Sequence, residues 1–132
     1  MFKILKIFLL VFFKFIYFSS LTISADEIIK IGLLVPITGD NKDIGHQIIK
    51  STRIALKDIG AKKLEIYLKD TGSNPNTTLQ SAIELKNIGI ETVIGPVFYK
   101  SLVYLDEVKE ITFLSLTNKT LKIPNNVISS GV

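Results

Sequence analysis

Thr38, Ser73, Asn74, Ser101, Thr117 and Asn118 are short polar side chains, and each lies just past the end of an apolar run. Hydroxyls, carboxamides and the unpaired backbone N–H groups that open helices donate to carboxylates and phosphates, and the helix dipole favours the same charge. Such a row suits reversible capture of a small polar solute. The same residue types also serve as ordinary caps and turn formers. Other chemistries have few candidates. His46 is the only histidine and there is no cysteine, so neither a histidine cluster nor a thiolate metal site can be assembled. A Ser-His-Asp triad would need His46, which falls in the first turn of an expected helix. Asp70 ends an expected strand and could act as a general acid or base, although aspartate at a strand-to-helix turn commonly serves as a cap. Gly32, Gly39 and Gly45 are too widely spaced for a dinucleotide fingerprint, and no Gly-Lys-Ser/Thr follows to make a phosphate loop. No cofactor is implied.

The elements that must position these residues follow from apolar spacing. Residues 28–35 are apolar on both faces apart from Lys30, as in a central parallel strand. Ile44, Ile48, Ile49, Ala55, Leu56 and Ile59 recur at helical spacing and predict a helix over 44–59, with one apolar stripe, Asp43 as N-cap and Gly60 as the stop. Residues 64–69 alternate apolar and polar, which places them nearer a sheet edge. Asn74 and Pro75 open a second helix over 76–88, with Leu79, Ala82, Ile83 and Leu85 inward and Gly89 closing it. A strand over 92–94, a third helix over about 100–108, a strand over 111–116 and a possible strand over 127–129 complete the order. Strand, polar loop and helix in repetition predict an α/β fold: an open parallel sheet with helices on both faces. Its ligand edge is the one where the carboxyl ends of the strands gather.

The formal charge of +4 misleads. Lys3, Lys6 and Lys14 supply three of the 16 basic residues, and the first 25 residues hold no acid. The remainder is near neutral, with no basic tract, so nucleic acid is not an expected partner. The basic start, the apolar residues 7–13 and 15–18, and the small polar exit Ser24-Ala25 have the order of a signal peptide over 1–25, cut before Asp26. The alternative is a retained membrane anchor. The apolar run is short for a span, which needs about 20 residues, and Lys14 interrupts it. Either way the expected location is periplasmic or at the inner membrane.

Lys30-Ile31-Gly32-Leu33-Leu34-Val35-Pro36-Ile37-Thr38-Gly39, with Gly45 opening a helix, resembles the start of type I periplasmic binding proteins, the leucine/isoleucine/valine-binding proteins and their relatives. Asp70-Thr71-Gly72-Ser73-Asn74-Pro75 is similar to the second strand-to-helix turn of that family, Ile94-Gly95-Pro96-Val97-Phe98 with Ser101 to the third, and Phe113 to Asn118 to the fourth strand and its polar end. The Gly-Pro-Val-Phe form is closest to the penicillin-binding protein activators. The resemblance implies a non-enzymatic lobe over 26–132. Its partner would be a small polar solute such as an amino acid, passed to an ABC permease, or a penicillin-binding protein in cell-wall synthesis. It implies a ligand edge of Thr38, Ser73, Tyr99, Ser101, Thr117 and Asn118. Tyr99 takes a place often held by serine in amino-acid binders, where it would crowd a carboxylate. The absent cysteine departs from the lipoprotein activators. Neither the strands and helices that complete the family's amino-terminal lobe nor its second lobe is in these residues, which implies an incomplete lobe: a fragment, a truncated gene or a degenerate copy acting in protein interaction. The competing class is a flavodoxin-like hydrolase using Asp70.

Overall fold

The computed structural model describes residues 27–119 and 122–131. The expected signal peptide, residues 1–25, lies outside them. The order is β1 (Ile29–Val35), α1 (Lys42–Asp58), β2 (Leu64–Asp70), α2 (Pro75–Asn87), β3 (Thr92–Ile94), two short 3₁₀ turns (Tyr99–Leu102 and Leu105–Glu107), β4 (Thr112–Ser115) and β5 (Val127–Ser129). All five strands are parallel, in the order β2-β1-β3-β4-β5. The strand apolar on both faces is inside the sheet, and the alternating strand β2 is at its edge.

Because β2 and β3 flank β1 on opposite sides, right-handed crossovers place α1 on one face and α2 on the other. The α2 face carries the core. Leu34, Ala82, Leu85, Val93, Leu102, Leu105, Ile111 and Phe113 form one buried cluster there. Asn74 caps α2 by accepting from the N–H groups of Asn76 (2.9 Å) and Thr77 (3.2 Å), and Pro75 takes the first turn, where its missing N–H costs nothing. Gly60 and Gly89 follow their helices with positive φ.

Three expectations are corrected. First, α1 starts at Lys42. Asn41 holds the N-cap position without a side-chain cap bond, and Asp43 lies in the first turn, where its charge still faces the positive end of the dipole. Second, the apolar stripe of α1 is not buried as a stripe. Within the helix only Gly45 is buried, while Ile44 and Ala55 are exposed and Ile48, Ile49 and Leu56 are half-buried. Ile59, just past the end, is 70% exposed. Among the described residues it is the one α-helix on its side of the sheet, and no second helix closes over its flanks. Third, residues 100–108 form no α-helix. Leu102, Leu105 and Val108 recur at intervals of three and are all buried, a period that fits 3₁₀ turns and not 3.6 residues per turn.

A buried carboxamide fastens these turns to the sheet. Asn126 Nδ2 donates to the carbonyls of Leu105 (2.8 Å), Val108 (2.9 Å) and Ile111 (3.2 Å). Asn126→Ala strands those acceptors and should cost about 1–2 kcal/mol, read as a lowered chemical-denaturation midpoint. An unchanged midpoint would show that water replaces the amide at no cost.

Candidate functional site

The site grows from the register of the sheet. Val35 pairs with Asp70 at the carboxyl ends of β1 and β2, so the two following loops leave the sheet together. Asp70 then ties them. Its Oδ1 accepts from the N–H groups of Ile37 (2.7 Å), Gly72 (2.8 Å) and Thr38 (3.3 Å), and its Oδ2 accepts from the Thr38 hydroxyl (2.5 Å). Burial pushes the carboxyl pKa up. The hydrogen bonds from the Thr38 side chain and from the backbone of Gly72, Ile37 and Thr38 outweigh it, and the pKa ends below its ordinary value. A general acid or base at neutral pH needs the opposite shift. Asp70 is a clamp.

The clamp presents the next residues to the edge. Ser73 adopts positive φ and accepts from Asn41 Nδ2 at 3.1 Å, so the first loop and the second turn are joined twice. Across the edge, Ser115 donates to the Pro96 carbonyl (2.9 Å) and accepts from Thr117 N–H (3.3 Å). The Ser129 hydroxyl donates to the Thr117 carbonyl (2.5 Å), fixing the end of β4 to β5. Lys119 lies over the Tyr99 ring, with Nζ 5.2 Å from its centre.

Between these two edges lies an open cavity of about 620 Å³. Ser73, Tyr99, Thr117 and Asn118, four of the six residues expected from the sequence, line it. Thr38 does not, and its hydroxyl proton is already given to Asp70. Ser101 does not line it either; it is 1% exposed, and its hydroxyl has no hydrogen-bond partner among the described residues. The sequence reading missed Asn41, Val97, Phe98, Leu116, Lys100 and Lys119. The two lysines are the important omission. They give a polar rim a positive charge, and they follow directly on Tyr99 and Asn118. The signal was adjacency to residues already singled out. Hydroxyls, amides and two ammonium groups around an open cavity can bind a small anion reversibly; no nucleophile and base are paired among these lining residues.

No family model matches the chain, and no curated protein matches it. Solved structures do. A solute-binding protein of an ABC transporter from Rhodopseudomonas palustris BisB5, in complex with 3,4-dihydroxybenzoic acid, is 26% identical over 70% of this chain and 28% of its own, with a TM-score of 0.63. The C-domain of LpoA from Haemophilus influenzae, a regulator of PBP1A, is 25% identical over 78% of this chain and 32% of its own, with a TM-score of 0.62. The leucine-binding protein LivK from Thermotoga maritima shares the fold at 18% identity, covering 68% of this chain and 28% of its own, with a TM-score of 0.61. These neighbours are type I periplasmic binding proteins, and the five-stranded parallel sheet with its helices matches their α/β fold. The chain spans less than a third of the length of each of these three structures.

Proposed function

We propose that this chain, which carries a sheet of the type I periplasmic binding protein kind, binds a small anionic solute without chemical conversion, in the manner of an exported solute-binding protein. The observation that carries the reading is the cavity at the carboxyl edge, where Ser73, Thr117 and Asn118 stand beside Lys100 and Lys119. A carboxylate there meets hydroxyl and amide donors together with positive charge, and the Tyr99 ring supplies an apolar wall. The ligand class is a small carboxylate, an amino acid or an aromatic acid. The location is the periplasm, and the receiver is an ABC permease.

The cavity is open, so bound ligand stays partly wet and each hydrogen bond contributes only about 0.5–1.5 kcal/mol. We expect millimolar affinity, about −4 kcal/mol, in titration calorimetry with leucine and benzoate. Lys119→Ala should weaken it about tenfold, through loss of a charged partner. Binding that survives both Lys119→Ala and Asn118→Ala unchanged would place the ligand elsewhere.

A second reading has its own support. The LpoA C-domain neighbour covers more of this chain (78%) than the solute-binding one (70%), and Phe98 of the Gly-Pro-Val-Phe segment lines the cavity. On that reading the same edge meets a penicillin-binding protein. Retention of a penicillin-binding protein on the immobilised chain, with no heat of binding for either carboxylate, would decide for it.

A further inference from the structure

A second concavity lies away from the carboxyl-edge cavity, between α1 and the edge strand β2, with a volume of about 510 Å³. Its floor is apolar, made by Ile37, Ile49 and Leu68, and its wall is basic. His46, Lys50, Arg53 and Lys57 all line it, at helical intervals of four, three and four residues, so they form one stripe along α1. Among the described residues, no acidic side chain lines the groove. Among the described residues, Lys50, Arg53 and Lys57 enter no ion pair, whereas Lys69–Glu84 and Lys86–Glu110 pair elsewhere on the surface. Leu68 remains 38% exposed and Ile54, at the groove's outer lip, 52%.

We propose that this groove docks an acidic amphipathic helix of a partner protein. The match is chemical at two levels. The floor needs apolar side chains, and the unpaired cations on one wall need carboxylates. From His46 to Lys57 the stripe runs roughly 16 Å, about three helical turns. A helix laid along α1 would present apolar residues at i, i+3 (or i+4) and i+7 to the floor, with its acids on the flank facing α1. A second copy of this chain, seated symmetrically, would set cations against cations. A flat anionic bilayer would meet the cations and the exposed Ile54 and Leu68, but it offers no ordered apolar ridge to fill a concavity. The charges set encounter rate and register, and the floor sets residence time.

The test uses the full chain and a fluorescently labelled synthetic helix of about 18 residues, long enough to hold helical structure. It carries leucines along one face and glutamates along the flank, and a peptide of the same composition in scrambled order is the comparison. Anisotropy should show saturable binding of the patterned peptide that weakens at about 0.5 M salt. Arg53→Glu should weaken it about tenfold, while Lys109→Glu, the same charge change at an exposed site outside the groove, leaves it unaltered. Leu68→Asn should weaken it about fivefold through loss of apolar contact. Equal affinity for the scrambled peptide, an equal loss with Lys109→Glu, or co-sedimentation with phosphatidylglycerol vesicles in the absence of peptide binding would each overturn the proposal.

Discussion

Gly45→Ala should destabilise the fold by about 3 kcal/mol, although the same change at an exposed helical position is expected to stabilise by about 1 kcal/mol. The reversal of sign comes from one contact. Gly45 is the buried residue of α1, and a Cβ built there would overlap the carbonyl oxygen of Pro36, which is backbone and cannot swing aside. The helix must then lift from the end of β1. Because α1 has little else buried, this contact sets where the whole helix sits, and with it the loop that carries Asn41 to the cavity. Thermal unfolding followed by circular dichroism reads the effect. A midpoint equal to or above that of the unmodified chain would mean that α1 rests loosely and that glycine is needed there for nothing.

The second large effect is expected at Asp70. Asp70→Ala removes the acceptor for Ile37 N–H, Gly72 N–H, Thr38 N–H and the Thr38 hydroxyl in one step. Hydrogen bonds to a charged group contribute about 1.5–3 kcal/mol each when counted singly. They are not additive here, because they share one carboxylate and the two Thr38 donors lie at exposed sites where water replaces it, so we expect a net loss of about 3 kcal/mol. Affinity for the proposed carboxylate ligand should fall with it, since Ser73 and Asn41 are joined across the same turn. The pH dependence has a definite sign. The folded-state pKa lies below the ordinary value of 3.8, so the clamp is at full strength above that value and is lost as pH falls through the lowered one. Unfolding midpoints measured from pH 5 downward should drop more steeply for the unmodified chain than for Asp70→Asn. Parallel curves would show that the carboxylate charge does not hold the two loops.

The architecture was open to reading from the chain because it rests on local chemistry. A strand apolar on both faces must lie inside a sheet, and β1 does. Residues 64–69 alternate, and β2 is an edge. Asn74-Pro75 is a helix start in any context, since the cap and the missing proline N–H are properties of those two residues. The parallel order, the helices on opposite faces and the gathering of loop ends at one edge follow from that reading, and so does the placement of Ser73, Tyr99, Thr117 and Asn118 around one cavity.

What the sequence alone could not determine is which polar groups are already spoken for. Thr38 and Ser101 look like their neighbours as residue types. In the fold, the Thr38 hydroxyl is turned to Asp70 over 32 residues of sequence separation, and Ser101 is drawn beneath the surface with Leu102. Lys100 and Lys119 were marked only by following Tyr99 and Asn118, because a surface lysine carries no further local signal of what it faces. The same limit hid the groove, whose basic wall comes from α1 and whose floor takes Leu68 from the neighbouring strand. Periodicity reports the side of an element that is apolar, but not whether another element covers it. Local patterning determined the elements and their order; long-range packing alone decided which donors, charges and apolar side chains stay available to a ligand.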